Sequence, residues 1–300
     1  MKMIELHENG LDIQFRIREN SVVELADFSS QEVKKAVMEP KEDICYPAVE
    51  IHRSGTGSLN MHAYKNNINQ SSADFVYENH ELKEQDGGKE LEIVMVSPEK
   101  LKAVYHMRLF DGVPAVQTWT EIINEGSEDQ GLTYVSSFMY QGISRGGEKP
   151  YYKKTDIYVP FNSWCCEAQW QKYDAEMLNL NGMVVDGFNH QGYGLNRYCY
   201  SGKGTWSTCE YLPMGIAEDR ETRETYIFQI ESSGQWLVEY GSAQGGNLYL
   251  ALSGATEQEH GWYKNLKPGE SFTTVPAGAA VVKGGLNPAA AALTRYRRKV

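Results

Sequence analysis

Two tryptophans stand beside turn residues in this sequence: Trp164 follows Phe161-Asn162-Ser163, and Trp206 follows Gly202-Lys203-Gly204. An indole at a turn can offer its broad apolar face to a ligand, as aromatic side chains do when they stack on sugar rings. The competing expectation is a Trp that fills a core, and for either residue alone that is the commoner fate. The 40 Asp and Glu residues make carboxylates available everywhere, so their number selects no acid–base pair. The 7 His residues show neither H-E-x-x-H nor His-x-His spacing, so no metal site and no cofactor are expected. Cys165 and Cys166 have no adjacent basic group and read as small buried side chains rather than nucleophiles. Gly202, Gly204 and the Gly245-Gly246 pair fall in apparent hairpins, without the strand-to-helix setting of a phosphate loop, and read as turns.

The frame that must position these residues is written in alternation. Leu11, Ile13, Phe15 and Ile17 are separated by Asp12, Gln14 and Arg16, the period-2 pattern of a half-buried strand. Leu101 to Leu109, Val116 to Ile122, Tyr226 to Ile230 and Trp236 to Tyr240 repeat it. Turn signals separate these runs: Asp86-Gly87-Gly88, Asn124-Glu125-Gly126-Ser127, Gly146-Gly147, Gly245-Gly246 and Lys267-Pro268-Gly269-Glu270. Many short strands without crossover helices predict an all-β fold, a large antiparallel β-sandwich. The 19 Tyr and 6 Trp suit such pleated surfaces. The stretch NNINQSSAD, residues 66–74, is the most loop-like and is expected to be a surface connection.

Bulk properties narrow the partners. A net charge of -11 repels phosphate backbones and anionic lipid, so neither nucleic acid nor membrane is expected to bind. With 41% hydrophobic residues in 300, a core can form without disulfides or metals. The 5 cysteines lack C-x-x-C spacing, and two are adjacent, which suits reduced thiols. The N-terminal MKMIELHENGLD builds no apolar signal-peptide region, and no long apolar run follows, so a cytoplasmic location is expected.

The chain ends on LNPAAAALTRYRRKV, which predicts a helix with Asn287 as N-cap, Pro288 in the first turn, and Arg295, Arg297, Arg298 and Lys299 at the C-terminal end. Without a Gly or Asn stop, this helix reads as the point where a longer chain continues into another domain. Ahead of it come Trp236-Leu237-Val238-Glu239-Tyr240-Gly241, Gly261-Trp262, and Leu266-Lys267-Pro268-Gly269-Glu270-Ser271-Phe272-Thr273-Thr274-Val275-Pro276, then Gly284-Gly285-Leu286 and Tyr296-Arg297. In that order they resemble the end of the N-terminal β-supersandwich domain of family 36 glycoside hydrolases, the bacterial α-galactosidases. Tyr46-Pro47-Ala48-Val49-Glu50 and Glu121-Ile122-Ile123-Asn124-Glu125-Gly126-Ser127 look like two earlier segments of the same domain.

The resemblance implies a supersandwich over residues 1–286, a helix over 287–300, and a catalytic (β/α)8 barrel that lies outside this chain. Such a barrel takes about 250 residues and would carry the two carboxylates, about 5 Å apart, of a retaining glycosidase. The domain itself would be non-catalytic. It would pack on its barrel, lend loops to the active-site rim for a galactose-containing sugar, and support a homo-oligomer. On that rim Trp164 and Trp206 are candidates. Asp43, in Asp43-Ile44-Cys45-Tyr46-Pro47, lies where the family often carries an Arg before the Pro, and is a further candidate.

Two other functions fit a sandwich of this kind: an independent carbohydrate-binding module, or an aldose 1-epimerase-like enzyme. The fold also looks like galactose mutarotase, whose enzymes use His residues and a Glu base on a concave sheet face. Asn189-His190-Gln191-Gly192-Tyr193 resembles a segment carrying one of those His residues, which makes His190 the remaining candidate. A docking domain should expose an apolar patch and leave its terminal helix exposed, whereas a self-sufficient module would cover both.

Overall fold

The computed structural model describes residues 1–40, 45–56, 65–67, 69–180, 196–243 and 247–300. The strands are β1 (Lys2–Glu8), β2 (Leu11–Ile17), β3 (Val23–Ser30), β4 (Ile51–Arg53), β5 (Val76–Gln85), β6 (Gly88–Val96), β7 (Leu101–Phe110), β8 (Val113–Asn124), β9 (Gln130–Ile143), β10 (Thr155–Ser163), β11 (Cys166–Asp174), β12 (Arg197–Gly202), β13 (Met214–Asp219), β14 (Glu224–Ile230), β15 (Trp236–Ala243), β16 (Asn247–Ser253), β17 (Lys264–Leu266), β18 (Ser271–Thr273) and β19 (Ala277–Lys283). The helices are α1 (Gln70–Ala73), α2 (Glu257–His260) and α3 (Leu286–Arg297). Among the described residues the strands form sheets of three (β1-β2-β3), ten (β11-β10-β13-β14-β19-β8-β7-β6-β5, with β18 beside β8) and six (β12-β15-β16-β9-β17, with β4 beside β9). The fold is an all-β antiparallel sandwich with a short C-terminal helix, as predicted.

Alternation decides which face each residue serves. Tyr226, Phe228 and Ile230 of β14 and Ala277, Ala279 and Val281 of β19 enter the central core, together with Trp236, Val238 and Tyr240 of β15. The residues between them point outward, because successive side chains on a strand leave opposite faces. These strands are not half-exposed, as alternation alone suggests: β14 and β15 are buried throughout. The reason is a further layer on each side. α3 covers the outer face of the ten-stranded sheet, where Ala289, Ala292, Leu293 and Tyr296 pack on Phe110, Ile227 and Ala280. On the outer face of the six-stranded sheet, Met38 and Tyr46 cover Met139, Tyr249 and Ala251.

Two local expectations fail. The helix begins at Leu286 with Gly285 as N-cap and no side-chain cap bond, so Asn287 lies inside the first turn. Gly284 (φ 123°) and Gly285 (φ 86°) swing the chain straight from β19 into the helix, one step before the Asn. Gly278 of β19 lets that helix sit close, since a Cβ there would meet the Tyr296 ring at 2.5 Å. The stretch at 66–74 is no surface connection: Asn66, Asn69, Ser71 and Ser72 are buried. Its polarity is used inward, where Ser72 Oγ donates to Glu50 Oε2 (2.6 Å) and Asn69 N to the same carboxylate oxygen (3.2 Å).

Candidate functional site

Trp164 and Trp206 come together. Their ring centroids are 5.9 Å apart, tilted by 49°, and the residues are 76% and 57% exposed. The core expectation fails for both, and Trp236 is the indole that fills the core. Trp164 sits on the two-residue loop between the paired Ser163 and Cys166 that joins β10 to β11, and Cys165 takes φ 60° there. The chain leaving β12 runs back alongside β10. Asn162 N donates to Glu210 O (2.8 Å), Leu212 N donates to Pro160 O (3.0 Å), and Asn162 Nδ2 donates to Thr208 O. The Phe161 and Tyr211 rings, 5.1 Å apart, close the seam. It is this seam that brings Trp206 to Trp164.

The hairpin stands clear of the body. β11 is the last strand of its sheet and is exposed from Cys166 to Lys172, on both faces. Cys165 and Cys166 are therefore exposed, not buried, as is Cys209. Behind the hairpin, a cleft of about 510 Å³ runs between Trp170, Tyr158, Met214 and Ile216 on the sheet and Leu286 and Leu293 on α3. Its lining is mostly apolar, with Asn287, Thr294 and Arg297 of α3 also bordering it, and Trp170 (36%) and Leu286 (40%) are exposed at its edges. The helix is thus neither bare nor fully covered: one side packs on β19, β14 and β8, and the other borders an open apolar groove.

Around Glu239, the outer face of the six-stranded sheet has the opposite chemistry. Glu239, between core residues Val238 and Tyr240, points outward and is fully buried. Its carboxylate accepts from Asn66 N (2.8 Å), Asn66 Nδ2 (2.9 Å), Arg197 Nη1 (2.8 Å) and Tyr249 Oη. Arg197 also reaches Glu259 Oε1 (3.1 Å), and Lys203 meets the other oxygen of that carboxylate, Oε2, from the surface at 3.1 Å. Burial works to raise the Glu259 carboxyl, but the hydrogen bonds from Lys203 and Arg197 outweigh it and hold it below the usual range. Lys65 donates to Ser242 O (2.6 Å), and burial pushes its amine down to about 8 against the pull of Glu239. Nearby, His52 lies against Tyr134 with ring centroids 4.7 Å apart, and burial pushes its imidazole down to about 3 even with Glu50 Oε2 3.8 Å away. A general base needs a free lone pair toward its substrate. Glu239 has spent its acceptors on the chain's own donors.

Asp43 and His190 lie outside the described residues. The residues that sequence reasoning missed are Trp170, Arg197 and Glu239. The outward parity of Glu239 within an apolar strand was a signal, since a lone carboxylate between core residues demands partners.

No family model matches the sequence, and no curated protein matches it. Solved structures do. The family 36 α-galactosidase AgaA of Geobacillus stearothermophilus, in complex with stachyose, superposes with a TM-score of 0.71 at 14% identity, over 99% of this chain and 43% of that one. The α-galactosidase of Lactobacillus brevis gives 0.71 at 13% identity, over 99% and 42%. The chain has the fold of one part of these enzymes. It spans 42–43% of their length, and the resemblance first drawn from the segment Trp236–Pro276 and the terminal helix holds at the level of the fold. A galactose mutarotase-like protein from Clostridium acetobutylicum shares the sandwich more loosely, with a TM-score of 0.53 at 12% identity over 94% of this chain and 95% of that one. Among the described residues, no helix is long and apolar enough to cross a membrane.

Proposed function

We propose that this chain is the non-catalytic supersandwich domain of a retaining α-galactosidase-like glycoside hydrolase. Residues 1–286 form the domain, and residues 287–300 lead toward a (β/α)8 barrel that carries the catalytic carboxylates. The observation that carries this reading is the superposition of nearly the whole chain on less than half of two α-galactosidases. The apolar cleft between α3 and β11 supports a docking surface for that barrel. The exposed Trp164 and Trp206 support a place on the rim, where a galactoside would stack. The free edge and bare faces of β11 support contact with a second copy in a homo-oligomer. Five free thiols, three of them exposed, support a reducing, cytoplasmic location.

The mutarotase-like neighbour is matched along almost its whole length, which favours a second reading in which the sandwich works alone on sugar, as an aldose 1-epimerase or a binding module. Two assays on the chain separate these readings. Our reading expects neither hydrolysis of an aryl α-galactoside nor faster mutarotation of α-galactose by polarimetry. Hydrolysis by the chain alone would sink it, and accelerated mutarotation would favour the second reading.

A further inference from the structure

On the outer face of the ten-stranded sheet, away from α3, two carboxylates converge on one imidazole nitrogen. Glu90 and Glu92 are two residues apart on β6 and point outward, since Leu91 and Ile93 between and beyond them enter the core. His106 of β7 is the direct cross-strand partner of Glu92. Its Nδ1 lies 2.9 Å from Glu90 Oε1 and 3.8 Å from Glu92 Oε1, and the three ligand atoms all lie within 4.8 Å of one another. The imidazole is held flat against Trp119 of β8, with ring centroids 4.7 Å apart and planes 7° apart.

A proton on Nδ1 satisfies Glu90 and leaves the Glu92 oxygen facing the same nitrogen at a distance too long for a hydrogen bond. One cation at the centre satisfies all three. Ligands on tetrahedral arms of about 2.1 Å stand about 3.4 Å apart, and the observed 2.9 and 3.8 Å bracket that spacing. Lys83 approaches the other oxygen of Glu92, Oε2, at 2.6 Å, and so neutralises charge without entering the cluster. All three ligands project from paired strands of the large sheet, the kind of support that holds ligand geometry.

We propose that Glu90, Glu92 and His106 bind a divalent transition-metal ion, with Zn²⁺ the fitted ion and water completing its coordination. The site is remote in sequence from Trp164 and Trp206 and independent of any barrel. E-x-E on one strand and a His on the next is not a spacing that the His motifs above would reveal.

The test is calorimetric titration of Zn²⁺ into the 300-residue chain, with Cys165, Cys166 and Cys209 changed to serine so that exposed thiols take up no metal. The comparison variants are His106→Phe, which keeps a ring against Trp119, and Glu92→Gln. We expect one saturating site in the parent, and affinity reduced by roughly 100-fold or lost in both variants. Cu²⁺ should quench Trp119 fluorescence in the parent and not in His106→Phe. No saturating site in the parent, or equal binding in the folded variants, overturns the proposal.

Discussion

Two regions on the outer faces of the sandwich are built to opposite rules. Under α3 the ten-stranded sheet presents small and apolar residues, and the helix lies on them through Ala289, Ala292, Leu293 and Tyr296, leaving an apolar cleft on its far side. Across the molecule, the six-stranded sheet presents Glu239, Arg197 and Tyr249, and the chain's own Asn66 closes over them. The first region has apolar surface left over, whereas in the second the Glu239 carboxylate has its acceptors filled by the chain's own donors. A ligand-accepting surface needs unspent bonding capacity, so under the proposed function the apolar cleft is where a partner would fit, while the Glu239 cluster holds the sandwich together.

The sharpest way to break this contrast is to unbalance the saturated face. Glu239→Ala leaves Arg197 with half its ion pairing and Asn66 without its acceptor, and should cost about 4 kcal/mol in urea unfolding. A cost below about 1 kcal/mol would mean that Glu239 is not structurally committed and is free for chemistry. On the helix face the expected loss is cavity formation: Leu293→Ala should cost about 3 kcal/mol, with little dependence on pH.

His52 sharpens the comparison through pH. Its folded-state value near 3 lies below the ordinary 6.5, so its stabilising contribution is complete above pH 6.5 and is lost as the pH falls toward 3. His52→Phe, which keeps a ring beside Tyr134, should flatten the acid limb of stability by up to about 1.4 kcal/mol per pH unit in that window. Parallel acid limbs in the two proteins would show that His52 is not buried as described.

The smallest stability effect belongs to the hairpin. Trp164→Ala and Trp206→Ala should each shift unfolding by no more than about 0.5 kcal/mol, because the two rings touch each other and solvent. In a protein that joins this chain to its barrel, the same changes should raise KM for an α-galactoside. A stability loss above 2 kcal/mol would return either Trp to the core, and unchanged kinetics in both would remove them from the rim.

Much of the frame was legible because period-2 patterning is local: β2 spans Leu11–Ile17 as the alternation predicts. What alternation does not carry is the number of layers. Nothing in Tyr226 to Ile230 says that a helix from the far end of the chain will cover its second face. The polar stretch at 66–74 misled for the same reason, since its buried partners Glu50 and Glu239 are distant in sequence. The Trp164 and Trp206 pair was found residue by residue, but their meeting depends on the seam of Pro160 and Asn162 with Thr208 to Leu212, a register that only the folded chain displays. Cys165 and Cys166 were misplaced because a hairpin that projects from an edge strand looks, in sequence, like any other strand pair.

The most direct test of the central claim is a galactose titration of the chain, taken to tens of millimolar and followed by protein NMR. If the sugar site is completed only by a barrel, the folded chain should give a flat titration. Chemical-shift changes that saturate would contradict this, because they would place a complete sugar site within the sandwich itself.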